Sequence, residues 1–302
     1  MLHIHRWDIG RPLLLVHVLH GMAEHGARYA RLAAELNARG MAVWAHDHRG
    51  HGLTATSSGD LLGHFADSNG WRVIVDDAWG VSRGMMAAYP GIPIVLFAHS
   101  MGSFVGQTLL GEHGSAYRAV VLSGTDGAPD LGEGFLRVAS VGQLRILGAR
   151  NPGRWIDRQI TRTFNRRFEP RKTNFYWLSR DAVEVRKYVD DPLCGFPLSS
   201  QSWFDFLHGK SKLGSEEQVE KIPRMLPIRL ISGTHDPVGK DGEGVQRLLD
   251  VYKKKGLTVS SQFYDEARHE LVNELNRDVV TRELIDWFLQ FVTPSDAATR
   301  AE

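Results

Sequence analysis

Ser100 stands in a sequence setting typical of a nucleophile. The apolar residues 92–97 precede a small-x-Ser-x-Gly turn at residues 98–102, and a segment with helical character follows. Because small residues on either side of the serine let a strand and a helix approach, the pattern predicts a sharp elbow that exposes the hydroxyl. Ala98 stands where glycine is usual, and alanine is still small. The pentapeptide alone is a weak signal, since such motifs are common by chance.

A serine hydroxyl is a poor nucleophile until a base removes its proton, and a carboxylate is needed to orient that base. Asp236 and His269 follow the predicted strands 227–232 and 258–264. Their order after Ser100 is the one that accompanies a serine elbow on a parallel sheet. The spacing therefore predicts a Ser-His-Asp triad at one edge of the sheet. Asp126, which follows another apolar run, stays an alternative for the acid or a residue of the pocket wall.

The oxyanion of a tetrahedral intermediate requires backbone N–H donors that are already in place. One predicted donor is the amide of Met101, directly after the nucleophile. The second is the amide of Met22, in the sequence HGM that follows the apolar residues 13–19.

The elements that must position these groups alternate along the chain. Apolar runs of strand length and helically periodic segments follow one another up to residue 123 and again from residue 227. The predicted strands are 2–7, 13–19, 41–46, 92–97, 119–123, 227–232 and 258–264, and the predicted helices include 29–39, 67–89, 240–255 and 278–291. The pattern favours an α/β protein with a mostly parallel sheet, helices on both faces and ligands beyond the strand carboxyl ends. Residues 293–302 are interpreted as a frayed tail.

The alternation breaks down after residue 129, which predicts an inserted helical cap at residues 129–205 between core segments 1–128 and 206–302. Residues 151–180 of this cap carry eight basic and two acidic side chains, interleaved with six aromatic ones. A basic amphipathic helix can lie on an anionic membrane surface or receive an anionic head group. The alternative is a solvated charged face whose aromatic side chains pack on the core.

Composition narrows the function classes. The 302 residues carry 36 Lys and Arg against 35 Asp and Glu, a net charge of +1 that gives no overall attraction to nucleic acid. The single cysteine, Cys194, excludes an intramolecular disulfide, and no signal-peptide pattern opens the sequence, so we expect a cytoplasmic protein. No apolar run reaches the roughly 20 residues that a membrane-spanning helix needs.

Several sequence blocks together resemble the monoacylglycerol lipase and lysophospholipase branch of the α/β-hydrolases. They are HGMAEHGARY (residues 20–29), DHRGHG (47–52), AHSMG (98–102), GTHD (233–236) and the late His269. The resemblance implies an α/β-hydrolase fold and a serine esterase without a cofactor. It would act on monoacylglycerols, lysophospholipids or similar single-chain esters, with a cap over the acyl site. It also leads us to expect that the usual first strand is short or missing.

The remaining candidate residues concern substrate and metal binding. We expect contacts with the substrate from His20, Gly21, His99, Asp126, Cys194 and Trp177. Five histidines, at positions 20, 25, 46, 48 and 51, cluster near predicted strand ends. Without an HExxH motif or matching cysteines, structural hydrogen bonding is favoured over zinc binding, with His20 and Glu24 bracing the oxyanion loop. No metal is expected.

Two other functions stay open. One is an amide or peptide hydrolase of the aminopeptidase type, which would need an acidic cap site for the substrate amine, whereas this cap is basic. The other is a ligand-binding protein that keeps the fold without using the triad. A nucleotide-binding fold is not expected, because no GxGxxG motif follows the first strands.

Overall fold

The computed structural model describes residues 1–127, 131–168 and 172–292. Its strands are β1 (Ile4–Trp7), β2 (Leu14–Leu19), β3 (Met41–His46), β4 (Ile94–His99), β5 (Ala119–Ser123), β6 (Ile228–Gly233) and β7 (Val259–Tyr264). They form one sheet in the order β1-β3-β2-β4-β5-β6-β7. Only β1, at one edge, pairs antiparallel with its neighbour, and all other pairs are parallel. This confirms the predicted mostly parallel sheet.

Helices cover both faces of this sheet. They are α1 (Ala30–Ala38), α2 (Gly52–Ser58), α3 (Gly70–Ala88), α4 (Met101–His113), α5 (Leu131–Leu147), α6 (Arg154–Asn165), α7 (Ala182–Asp190), α8 (Ser200–Lys210), α9 (Glu216–Glu220), α10 (Glu243–Lys254) and α11 (Arg277–Leu289). Alternate residues of β2 point to opposite faces, so Leu15 packs in a cluster with α3, α4 and α10 while Val16 packs with α1 and α11. Burial on both faces explains why the inner strands are continuous apolar runs.

Local chemistry shifts some predicted helix boundaries. Helix α3 begins at Gly70 rather than at residue 67, because Asn69 adopts a left-handed conformation with φ of 53°. Helix α2 lies directly after the DHRGHG block, in a stretch without an apolar period, and the sequence did not predict it. It ends at Gly59 in the left-handed conformation that glycine favours.

The described regular elements between β5 and β6 are helices joined by turns and loops, with no strand among them. Helices α5 to α9 occupy this interval, and residue 129, the predicted start of the cap, lies outside the described residues. The predicted end of the cap, residue 205, falls inside α8. Helix α8 packs against both α5 of the cap segment and α3 of the core, so it joins the two.

Nowhere in the described residues is there a helix with the length and apolar character needed to span a bilayer. The predicted frayed tail at residues 293–302 lies outside the described part of the chain.

Candidate active site

Ser100 lies in a strained turn between β4 and α4. Its φ of 52° and ψ of −121° are rare for a residue with a side chain. The backbone N–H of Ser100 donates to the carbonyl of Ser123 at 2.9 Å, which fixes the turn against β5. A Cβ at Gly102 would collide with the carbonyl oxygens of Leu19 and His20. The strand and the helix can therefore meet only with glycine at this position.

Ala98, near the end of β4, is accommodated by Gly106 of α4. A Cβ added at Gly106 would lie 3.1 Å from the Cβ of Ala98. The missing side chain on α4 thus makes room for the methyl group that this elbow carries in place of the usual glycine.

Asp236 and His269 meet at the same edge of the sheet. The Nδ1 of His269 lies 2.9 Å from Oδ1 of Asp236, and both residues are buried. The backbone N–H of Val238 donates to the same carboxylate oxygen at 2.9 Å. The opposite ring nitrogen of His269, Nε2, has no hydrogen-bond partner among the described residues. The geometry leaves that nitrogen available to a neighbouring hydroxyl, as a general base requires.

Asp126, the alternative acid, is placed in a different environment. Its carboxylate lies 2.9 Å from the ammonium of Lys240 and accepts the backbone N–H of Gly127 at 2.8 Å. The structure brings Asp236, and not Asp126, to the imidazole of His269.

The candidate oxyanion donors lie on two segments beside Ser100. Met101 is the first residue of α4, and Met22 follows the loop residue Gly21. A Cβ at Gly21 would lie only 3.1 Å from the Cβ of Ser100, so the loop passes directly over the candidate nucleophile. Within the described part of the chain, neither Met22 nor Met101 uses its backbone N–H in a hydrogen bond. Both amides are therefore available to an oxyanion.

A buried ion-pair network fixes this loop. The carboxylate of Glu24 accepts the N–H of Gly21 at 2.5 Å and the hydroxyl of Tyr29 at 3.0 Å. Arg28 contacts Glu24 at 2.5 Å and donates two hydrogen bonds to Glu270, at 2.6 and 2.7 Å. Burial alone would raise the pKa of Glu270, but the Arg28 guanidinium outweighs burial and lowers it. Because Glu270 follows His269, Arg28 links the oxyanion loop to the histidine loop.

His20 shapes this loop from behind. Its Nδ1 lies 2.7 Å from the carbonyl of Gly21, and its Nε2 accepts the backbone N–H of His48 at 2.9 Å. Burial, followed by the neighbouring histidines, lowers its pKa well below the usual range. His20 is thus a neutral, hydrogen-bonded histidine that does not reach the cavity wall.

Among the described residues, two groups of side chains have the spacing to hold a metal ion. One consists of His5, His25 and Asp47, and the other of His25, Asp191 and Cys194. In each group a histidine is already hydrogen-bonded to the carboxylate: His5 to Asp47 at 3.0 Å and His25 to Asp191 at 2.9 Å. These pairs fit the structural role that the sequence favoured for histidines of this region.

A cavity of about 950 Å³ opens above Ser100. The wall includes Ser100, His269, Met22 and Met101, together with Gly21, His99 and Trp177 among the residues expected to contact substrate. His20, Asp126 and Cys194 are not part of this wall. The ring of His99 lies 4.6 Å from that of His269, and burial lowers the pKa of His99 to about 4, so it is neutral.

Several cavity residues had no sequence signal. Phe104, Trp203 and Phe206 are apolar residues at helical spacing, which more often indicates core packing than a binding site. The link from Arg28 to Glu270 joins residues far apart in the chain. Only the i, i+4 spacing of Glu24 and Arg28 could have suggested part of it.

Comparisons with known proteins identify the family and similar structures. A family model described as serine aminopeptidase, S33, matches residues 10–276. The chain is 25% identical to a monoglyceride lipase homolog of Monkeypox virus, over 93% of this chain and 91% of the relative. It is 27% identical to the monoglyceride lipase of Homo sapiens, over 96% and 87% respectively. A thermostable carboxyl esterase from Bacillus coagulans, solved with glycerol, superposes with a TM-score of 0.88 at 26% identity, covering 97% of this chain and 99% of the esterase. These matches confirm the resemblance indicated by the sequence motifs.

Proposed function

Because the chain belongs to the serine aminopeptidase S33 family of α/β-hydrolases, we propose that it is a carboxylic-ester hydrolase for monoacylglycerols, lysophospholipids or similar single-chain esters. The proposal depends above all on one observation. The imidazole of His269 is held by Asp236 at 2.9 Å, beside a cavity whose wall includes Ser100. The monoglyceride lipases among its relatives support the lipid substrate class.

In the proposed mechanism Ser100 attacks the ester carbonyl while Nε2 of His269 takes the hydroxyl proton. Asp236 holds the ring through Nδ1 and stabilises the imidazolium. The amides of Met22 and Met101 bind the oxyanion, which needs no reorganisation because the loop is already fixed. His269 then gives the proton to the leaving alcohol. Water hydrolyses the acyl-enzyme by the same sequence of steps, without a cofactor.

The charges around the cavity favour an ester over a peptide substrate. An aminopeptidase needs a carboxylate for the substrate's ammonium group. Of the four carboxyl groups in the described cavity wall, those of Glu24 and Glu270 contact Arg28 and that of Glu133 contacts Lys210. Burial raises the pKa of the fourth, Asp157, to about 7, which weakens its negative charge at neutral pH. Helix α6 adds Arg154, Arg158 and Arg162 to the cavity wall. A cationic amine would therefore meet repulsion rather than attraction.

The test is hydrolysis of monoacylglycerols, lysophosphatidylcholine and alanine p-nitroanilide by wild type, Ser100→Ala and Ser115→Ala. We expect ester turnover, little activity on the anilide, and a loss of about three or more decades of kcat only in Ser100→Ala. Ser115, an exposed serine that follows α4 and does not line the cavity, is the matched control. Equal ester activity in wild type and Ser100→Ala would refute the esterase and favour the ligand-binding alternative, whereas preferred anilide cleavage would favour the aminopeptidase.

We further propose that the cap contacts an anionic membrane surface. Leu131, Phe135, Val138 and Ile146 recur at helical spacing along α5, and each is more than 60% exposed. Phe135 contacts the ring of Trp155 on α6, at 6.5 Å between ring centres, but all four side chains stay largely exposed. An exposed apolar stripe of this kind is costly to leave in water. The arginines of α6 add positive charge beside it, as in helices that lie in a membrane interface. For the protein as a whole we propose a cytoplasmic location. A chain with a single cysteine cannot form an intramolecular disulfide, so its stability does not depend on an oxidising compartment.

Binding to vesicles of phosphatidylcholine with and without phosphatidylglycerol tests the membrane contact. We expect Val138→Ser/Ile146→Ser to weaken vesicle binding at least about tenfold, because each change removes apolar area that would enter the interface. Met225→Ser, equally exposed but outside the cap segment, is the control. Unchanged binding of the double variant would exclude α5 as the contact surface.

A further inference from the structure

The cavity wall contains both polar and apolar groups near Ser100. Beside the oxyanion loop it includes Glu24, Tyr188 and Glu270. Phe104 follows Ser100 by one turn of α4, and its ring packs at 5.9 Å from that of Phe206 on α8. We call this apolar part of the wall the apolar branch, and it suits the acyl chain of the proposed ester substrate.

Charged side chains interrupt the apolar branch. The ammonium of Lys210 lies 4.6 Å from the centre of the Phe104 ring and 2.7 Å from the carboxylate of Glu133. Lys240 lies 2.9 Å from the buried Asp126 and 3.8 Å from Glu133. Lys210, Lys240 and Glu133 all line the cavity. We call these four residues, Asp126, Glu133, Lys210 and Lys240, the ion-pair cluster.

The cluster is joined to the catalytic edge of the sheet. Asp126 follows β5, and Lys240 lies in the loop that begins with Asp236. Lys240 and Asp241 both have positive φ, 54° and 56°, so the loop is held in a strained conformation that places Lys240 against Asp126. Lys210 is only 7% exposed. These contacts make the cluster a fixed part of the cavity wall rather than a set of mobile surface charges.

From this arrangement we infer that the ion-pair cluster limits the length of the acyl chain, so that the enzyme prefers medium-chain over long-chain esters. The inference builds on the proposed esterase function. A methylene chain that runs past the ammonium and carboxylate groups would take away their remaining hydration and offer no hydrogen bond in return. Chains that stop short of Lys210 gain the apolar contacts of Phe104 and Phe206 without that cost.

The distances give the expected length. Four residues of α4 separate Ser100 from Phe104, about 6 Å along the helix, so the path from Ser100 over the Phe104 ring to Lys210 is on the order of 10 Å. An extended chain advances about 1.2 Å per bond, so this path holds about eight carbon atoms. Octanoyl and decanoyl esters are therefore the expected optimum.

The test compares kcat/KM for 1-octanoylglycerol and 1-palmitoylglycerol at a constant detergent mole fraction. The variants are wild type, Lys210→Met, Lys210→Met/Glu133→Gln and the control Lys212→Met. Methionine keeps the length of lysine without its charge, and glutamine avoids leaving a carboxylate without Lys210. We expect wild type to favour the octanoyl ester at least about tenfold, and the double variant to lower that ratio by about tenfold. Lys212, exposed in the turn two residues after the same helix, should leave the ratio unchanged.

Two results would overturn the inference. One is a wild-type enzyme that hydrolyses the palmitoyl ester as well as the octanoyl ester. The other is a folded double variant with the wild-type ratio. If the variants fail to fold, the wild-type protein alone allows the same comparison. The increase in its Tm caused by octanoate should then exceed the increase caused by palmitate, and the reverse order would contradict the inference. Absence of turnover for every ester in wild type would refute the proposed function instead, which separates the two failures.

Discussion

Arg28 connects the candidate oxyanion loop with the histidine loop. Its guanidinium contacts the carboxylates of both Glu24 and Glu270. It also lies 4.8 Å from the centre of the Tyr188 ring. A planar, bidentate donor is needed for this geometry, and lysine cannot replace it. The loop geometry is thus set by an interaction that does not itself involve the reacting atoms.

We therefore expect Arg28→Met to lower kcat at least about a hundredfold with a smaller effect on KM, and to reduce the free energy of unfolding by about 3–5 kcal/mol, since two buried carboxylates lose their partner. Arg28→Lys should recover only part of the loss. Steady-state kinetics and urea unfolding measure both quantities. Arg186→Met, which removes an exposed arginine beside Asp190, is the control and should change stability by less than about 1 kcal/mol. Unchanged kcat in Arg28→Met would disprove the coupling.

At the residue scale, the sequence indicated which candidate residues lie together where each one follows a strand. Asp236 and His269 were predicted at the same edge of the sheet because each comes after a predicted strand, and the structure places their side chains 2.9 Å apart. Their catalytic role stays a prediction. It was less informative for His20, which was expected to contact substrate but lies behind the oxyanion loop. Contacts such as Lys210 with Glu133 join residues on different helices, and no local pattern reports them.

At the scale of elements, α4 and the end of β2 cross at a close approach of backbone to backbone beside the site. Gly102→Ala would push a methyl group against the carbonyl oxygens of Leu19 and His20. Because these are backbone atoms leading into the oxyanion loop, we expect a loss of about 1–3 kcal/mol in stability and a clear fall in kcat. Thermal unfolding and ester kinetics provide the measurements.

Gly142→Ala is the matched control for that substitution. Gly142 also lies within a helix, α5, but an added Cβ would meet nothing within 4 Å. Here alanine should stabilise the protein by about 0.5–1 kcal/mol, the usual gain for replacing a helical glycine. If both substitutions had the same effect, helix propensity rather than the close crossing would explain the result at Gly102.

Element identity was easier to predict than element boundaries. Strands β2 to β6 were found because buried strands are largely apolar runs, and β7, the edge strand VSSQFY, was found from Val259, Phe263 and Tyr264. Helix α2 was missed because its sequence, GLTATSS, has no apolar period. The helices of the cap segment could be expected only as a region without strands. The packing of α8 on α3 and on α5 depends on side chains that are distant in the chain.

At the scale of the whole molecule, buried histidines make stability depend on pH. Burial lowers the pKa of six described histidines. The pKa falls to about 3 for His17 and His48 and to about 4 for His51 and His99. For His20 and His46 it falls well below the usual range. In the unfolded chain these groups take up protons near pH 6.5. Between about pH 6.5 and 4 the unfolded state binds more protons than the folded state. The free energy of unfolding must therefore decrease as the pH is lowered through this range.

Urea unfolding from pH 8 to 4.5 tests this expectation. The free energy of unfolding should be nearly constant above about pH 7 and should decrease progressively below pH 6.5, by up to about 1.4 kcal/mol per pH unit for each histidine that titrates only when unfolded. His48→Asn should flatten the decrease, and His113→Asn, at a partly exposed position, should leave it unchanged. A flat profile down to pH 5 would contradict the neutral burial of these rings.

The link between Arg28 and Glu270 also determines when activity can arise during folding. It spans 242 positions of the chain, and the imidazole beside it comes from the loop after the last strand of the sheet. Contacts of such large sequence separation form late, because chain closure must be completed before they contribute. A nascent chain would thus expose its serine elbow well before it could use it. Recovery of esterase activity during refolding should follow the docking of β7 rather than the earlier collapse of the amino-terminal half.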